Sequence, residues 1–126
     1  MKPVRKKILI VDDTEDIRDL LSVVLRLKGC DAIAVTDGRQ AIEQATRSSP
    51  DLILMDICMP VMDGYQATMR IHDIPRLSHV PVIAMSAHWQ GDWSSKAIAA
   101  GCVECLPKPL EPEKLDQIIS RYIHDS

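Results

Sequence analysis

Phenylalanine is absent from this 126-residue chain, and aromatic residues of any kind make up only 3% of it. The core must therefore be built from Ile, Leu, Val, Met and Ala. Long apolar runs are missing as well. No stretch approaches the ~20 residues that a membrane-spanning helix needs, and the N-terminus lacks the apolar region of a signal peptide. No membrane contact is expected, and the cytoplasm is the expected compartment. A basic excess is also lacking: the formal net charge is −3, which is not the footprint of a nucleic-acid-binding surface. The run Arg5-Lys6-Lys7 reads as a solvated flank of the first strand.

The four cysteines, Cys30, Cys58, Cys102 and Cys105, match no repeated zinc spacing. Cys102 and Cys105 form a CxxC on a predicted strand, where residues three apart point to opposite faces. The expectation is that the cysteines are small buried apolar side chains without a redox role. His72, His79, His88 and His124 are scattered, with no pair at ligand spacing. Linkers, internal repeats and low-complexity segments are absent. The length suits one compact domain. The expectation is a single domain over 1–126, with its core at about 7–124.

Apolar runs and helical stripes alternate from end to end, which argues for an α/β fold with a parallel sheet and helices on both faces. The strands are expected at about Lys7–Val11, Asp31–Val35, Leu52–Asp56, Val82–Met85 and Val103–Leu106. Helix one is expected over Glu15–Lys28: Ile17, Leu20, Leu21, Val24 and Leu25 form its buried stripe, and Gly29 stops it. Helix two spans about Gly38–Ser48 with Ala41, Ile42 and Ala45 inward. Helix three spans about Gly64–His72. Helix four spans about Asp92–Ala100, with Asp92 as N-cap and Gly101 as terminator. Helix five spans about Pro112–His124 and buries Leu115, Ile118, Ile119, Tyr122 and Ile123, with Pro112 suited to its first turn. The third and fourth strands are near-continuous apolar runs, as strands covered on both faces should be.

Each of four strands delivers a polar group at its carboxyl end: Asp12-Asp13, Asp56, Ser86 and Lys108. In an open α/β sheet that edge is where ligands bind. Acidic residues after a strand are often only turn or cap residues, and a lone lysine is usually solvated. The combination at adjoining strand ends points to function. Adjacent carboxylates repel, and a divalent cation relieves the repulsion. Mg2+ favours hard oxygen ligands, so Asp13 and Asp56 are the expected direct ligands, with Asp12 acting through water and the Cys58 backbone carbonyl supplying another oxygen. The Cys58 thiol has little affinity for Mg2+. Asp56 can act as a nucleophile on phosphorus, while Lys108 and the Ser86 hydroxyl stabilise the phosphoryl oxygens.

The segments Ile10-Val11-Asp12-Asp13, Leu54-Met55-Asp56-Ile57-Cys58-Met59-Pro60-Val61-Met62-Asp63-Gly64, Met85-Ser86-Ala87, Ala100-Gly101 and Leu106-Pro107-Lys108-Pro109 occur in that order. Over about Lys7–His124 the chain resembles the response-regulator receiver domain of two-component signalling. The resemblance implies a flavodoxin-like, doubly wound (βα)5 sandwich with strand order 2-1-3-4-5. It implies that Asp56 accepts phosphate from a histidine kinase or histidine phosphotransfer protein, with Mg2+ bound by Asp12, Asp13 and Asp56. It further implies that Ser86 and Lys108 contact the phosphoryl group and that the Lys108-Pro109 peptide is cis. Such a protein is a phosphoacceptor regulator read by a downstream protein target, not a turnover enzyme.

An added phosphoryl group carries about −1.5 to −2 charges and three acceptor oxygens. Ser86 moving toward it would draw in the segment His88-Trp89-Gln90-Gly91 and shift helix four, strand five and helix five. The chain departs from the family pattern at Cys105, where receivers usually carry an aromatic switch residue. A cysteine cannot sweep the same volume, so output is expected through the strand-four loop and helix four, using Trp89 and Trp93. The resemblance sets Cys58 and His88 beside the path of a hydrolytic water. Two other functions compete. A haloacid-dehalogenase-type phosphatase needs a second Asp where Cys58 stands. A receiver-fold interaction module that works without phosphorylation has no physical need for all of Asp12, Asp13, Asp56, Ser86 and Lys108.

Overall fold

The computed structural model describes residues 5–59, 62–87 and 91–123. Among these, strands and helices alternate: β1 (Lys7–Val11), α1 (Glu15–Leu27), β2 (Asp31–Val35), α2 (Gly38–Ser48), β3 (Leu52–Asp56), α3 (Gly64–His72), β4 (Val82–Ser86), α4 (Trp93–Ala100), β5 (Glu104–Pro107) and α5 (Pro112–Tyr122). The sheet has five strands in the order β2-β1-β3-β4-β5, and every pairing is parallel. This is the flavodoxin-like fold. A short 3-10 turn at Pro75–Leu77, unforeseen in the sequence, links α3 to β4.

The alternating pleat of the strands builds two cores. Leu9, Val11, Ile53, Met55, Val82 and Ala84 face one cluster, shared with Ala41 and Ala45 of α2, Ala67 and Ile71 of α3, and Ala97 of α4. Ile8, Ile10, Leu52, Leu54, Ile83 and Met85 face the other, shared with Leu21 and Leu25 of α1 and with Leu115 and Ile118 of α5. Both β3 and β4 are buried along their whole length. Each such Ile or Leu contributes roughly 1.5–3 kcal/mol on burial. Side-chain caps start two helices: Asp37 accepts from the Gln40 amide at 2.9 Å, and Asp63 from the Gln66 amide at 2.9 Å.

Several expectations are corrected. Leu20 is 58% exposed, while the polar Ser22 is buried. The apolar stripe of α1 is wider than the strip of helix that touches the sheet, so its outer edge stays in solvent. Ile119, Tyr122 and Ile123 are only half-buried for the same reason. Helix α1 ends at Leu27, α4 begins after Asp92, and β5 runs one residue later than expected. Asp92 occupies the N-cap position, but its side chain makes no cap hydrogen bond. Cys58 is exposed, because the chain has left the sheet and is turning there. Cys102 precedes β5 instead of lying on it, so it and Cys105 pack against the same cluster. Burial pushes the Cys102 thiol up to about 11, which leaves it unreactive at neutral pH. The basic flank does reach protein partners: Arg5 meets Asp31 at 2.7 Å. His88, Trp89 and His124 lie outside the described residues.

Candidate functional site

The register of the central strands decides what meets at the carboxyl edge. β1 pairs with β3 through Ile10↔Leu54 and Val11↔Met55. One step further along this ladder sets Asp12 opposite Asp56, on the pleat side shared by Ile10 and Leu54. The Asp12 amide still donates to the Val35 carbonyl at 3.1 Å, so the backbone is in sheet geometry up to that point. Both carboxylates are buried, Asp12 at 0% and Asp56 at 2% exposure. Asp13, the next residue, is exposed. Even so, ligand oxygens of Asp12, Asp13 and Asp56 all come within 4.8 Å of one another.

Each buried oxygen has a defined neighbour. Asp12 Oδ1 accepts from the Thr14 amide at 2.8 Å, and Asp56 Oδ1 accepts from the Cys58 amide at 3.0 Å. Lys108 Nζ lies 2.5 Å from Asp12 Oδ2 and 2.9 Å from Asp56 Oδ2. The contact to Asp56 is a hydrogen bond. The contact to Asp12 is a close ion pair between two buried groups. Burial pushes the Asp56 carboxyl above its ordinary value; Lys108 pulls it back down, and Asp12 adds to the rise. Burial works against the Lys108 ammonium, but the carboxylates of Asp12 and Asp56 outweigh it and hold that group above its usual range.

Ser86 ends β4 and is buried, with Pro107 of β5 as its register partner. The Lys108 amide donates to the Ser86 carbonyl at 2.9 Å, which ties the hydroxyl and ammonium residues together through the backbone. The Lys108-Pro109 peptide is cis. Gly64 lies directly against the backbone of Asp56 and Ile57. A Cβ there would sit 2.4 Å from the Asp56 carbonyl oxygen, so no larger residue lets α3 approach β3 this closely. Its amide donates to the Ile57 carbonyl at 3.1 Å.

The site includes residues that the sequence patterns did not single out. Arg18 donates to the Asp12 carbonyl at 2.8 Å and steadies the β1–α1 turn. Tyr65 donates its hydroxyl to the Trp93 carbonyl at 3.2 Å, bridging α3 and α4. Burial pushes the Tyr65 phenol up, and Cys58, Asp63, Asp92 and Cys105 act in the same direction. The available signal was scarcity: only two tyrosines occur in the chain, and one follows Gly64 directly.

The donor set suits a hard divalent cation. With its three carboxylates ionised against one ammonium, the cluster carries a formal charge of −2. All of its side-chain ligand atoms are oxygens, and they lie within 4.8 Å of one another.

Residues 8–120 match the family model described as the response regulator receiver domain. The signal transduction histidine-protein kinase BarA of Escherichia coli (strain K12) is 38% identical over 120 residues, which cover 91% of this chain and 12% of BarA. The polar-differentiation response regulator DivK of Brucella anthropi is 31% identical over 121 residues, covering 96% of this chain and 98% of DivK. The chain thus spans nearly all of one relative and a small part of another. Among solved structures, chemotaxis protein CheY4 of Vibrio cholerae superposes with a TM-score of 0.89 at 28% identity, covering 95% of this chain and all of that one (100%). The receiver domain of sensor histidine kinase PA1611 from Pseudomonas aeruginosa, with a magnesium ion coordinated in its active-site cleft, superposes at 0.87 with 36% identity, covering 95% and 98%.

Proposed function

Because the chain belongs to the response regulator receiver domain family, whose members work in phosphorylation-based two-component signalling, we propose that Asp56 is its phosphoacceptor. The phosphoryl group comes from a histidine kinase or histidine phosphotransfer protein. The observation that carries this reading is the convergence on Asp56 of two further carboxylates and a lysine that bridges two of the three. A cluster this acidic at a sheet's carboxyl edge has no structural need for so many like charges.

Asp12, Asp13 and Asp56 hold Mg2+, with the Cys58 backbone carbonyl as a further oxygen. When bound, Mg2+ neutralises charge on the phosphoryl oxygens. An Asp56 oxygen forms the bond to phosphorus as the phosphohistidine P–N bond breaks, and the imidazole keeps the electron pair. A carboxylate attacks without a general base, so none has to be found among the histidines. Lys108, already at Asp56 Oδ2, shifts its charge to a phosphoryl oxygen, and the Ser86 hydroxyl donates to another. The phosphorylated form is read by a downstream protein target. The protein acts in the cytoplasm, as a regulator and not as a turnover enzyme, without direct contact to nucleic acid or membrane.

The test is intact mass after incubation with a small phosphodonor and Mg2+, beside an Asp56→Ala variant and an EDTA control. One Mg2+-dependent phosphoryl adduct, absent in the variant, is the expected result. A folded, Mg2+-binding protein that takes no adduct would move the reading to an interaction module that works without phosphorylation, which the loss of the aromatic at Cys105 favours. Steady release of phosphate from monoesters would instead revive the phosphatase.

A further inference from the structure

Helix α4 is fastened at its first turn by other elements, not by a cap of its own. Asp92 offers no side-chain cap, and only Ala97 and Ala100 of the helix are fully buried. Trp93 packs partly buried against the core, and beyond it only these two small side chains anchor α4. Its first-turn carbonyls accept added hydrogen bonds from outside: the Tyr65 hydroxyl on α3 donates to the Trp93 carbonyl at 3.2 Å, and the Cys105 thiol on β5 donates to the Ser94 carbonyl at 3.6 Å. A thiol is the weaker donor of the two.

Both tethers originate beside the site. Tyr65 follows Gly64, the residue that presses α3 against the Asp56 carbonyl. Cys105 pairs in register with Ala84, two residues before Ser86. Ser86 and Trp93 stand at the two ends of the β4–α4 connection. The Lys108 amide pins the Ser86 carbonyl at one end, and the Tyr65 hydroxyl holds the Trp93 carbonyl at the other.

We infer that Tyr65 is the positioning residue that couples the state of the Asp56 site to α4: its hydroxyl holds the first turn of α4 in the resting form and gives up the Trp93 carbonyl when Asp56 carries phosphate. The inference rests on Asp56 being the phosphoacceptor. A charge-assisted hydrogen bond from Ser86 to a phosphoryl oxygen is stronger than the neutral one between the Tyr65 phenol and the Trp93 carbonyl, so forming the first can drive the loss of the second. Tyr65 supplies from α3 the aromatic that β5 lacks at Cys105.

The test uses Tyr65→Phe, which keeps the ring and its packing against the core and removes only the hydroxyl. The readout is hydrogen exchange at the Lys96 amide, whose bond to the Asp92 carbonyl at 3.1 Å closes the first turn of α4. In resting protein the variant should exchange about 2- to 10-fold faster there than wild type. Exchange at Leu54 in β3 should match in both, which establishes an intact fold. Phosphorylation should speed Lys96 exchange in wild type and change it less than about 2-fold in the variant, with Tyr122→Phe behaving as wild type. Unaltered Lys96 exchange in resting Tyr65→Phe overturns the tether. A full phosphorylation-dependent change in the variant overturns the coupling. Intact mass measured on the same samples separates the premise: wild type without an adduct overturns the phosphoacceptor reading and the coupling, while the resting comparison still decides the tether.

Discussion

Lys108 is the only cation among the described residues that contacts the buried carboxylates Asp12 and Asp56, and replacing it with methionine tests how much the resting site depends on it. The substitution keeps most of the apolar stem and removes the ammonium. The lysine side chain is 9% exposed, and its contacts at 2.5 and 2.9 Å are to carboxylates at 0% and 3%. At an effective dielectric of about 20, each contact is worth roughly 6 kcal/mol. Desolvation of the ammonium cancels much of that, and stranding a buried charge costs about 3–5 kcal/mol net. For a domain of this size that corresponds to a fall in Tm of roughly 10–20 °C. The same variant leaves three carboxylates with no competing cation, so Mg2+ should bind more tightly and rescue more of the loss. At 100-fold above its Kd a ligand returns about 2.7 kcal/mol. The assay is thermal unfolding of Lys108→Met and wild type in EDTA and across a Mg2+ series. An unchanged Tm in EDTA, or a Mg2+-induced rise no larger than that of wild type, would refute the bridging role.

Gly101→Ala should destabilise the fold by about 2–4 kcal/mol, measured by urea unfolding. Its φ of +116° is strained for any L side chain, and a Cβ would meet His72 Nδ1 at 2.6 Å. His72 is itself held to the Val80 carbonyl at 2.9 Å, so part of the loss should vanish in a His72→Ala background; a loss below about 1 kcal/mol would contradict the packing argument. The raised pKa of Asp56, caused first by burial, means that the folded chain keeps this proton to higher pH than the unfolded chain. Its stabilising contribution is therefore present in acid and lost as pH rises through the raised value. In metal-free buffer, Asp56→Asn should gain stability relative to wild type as pH rises from the ordinary carboxylate range toward neutrality. A constant difference across that range would show that burial does not dominate at Asp56.

Strand and helix identities were legible because they rest on local periodicity. The unbroken apolar runs of β3 and β4 state their own burial, and the stripes of α1 and α5 state that these segments are helices. Boundaries were less legible at α1 and β5, where Lys28 and Val103 continue a pattern that the backbone hydrogen bonding does not follow. The error at Leu20 has the same source. A helical stripe says which residues are apolar but not how wide a strip the neighbouring sheet will cover. Cys58 illustrates the limit for single residues, since composition favours a buried cysteine and only the turn after β3 exposes it.

The sequence by itself determined the alternating (βα) order, the polar residues that end four strands, and hence the chemistry that can assemble at one edge of the sheet. Those features depend on neighbours within a few positions along the chain. Tertiary structure alone decided which charges touch. It set Lys108 between Asp12 and Asp56, left Asp13 at the surface, pressed Gly64 onto the Asp56 carbonyl and carried the Tyr65 hydroxyl to Trp93. The contacts among these join residues from separate elements, and strand register and helix packing, not sequence spacing, bring them together.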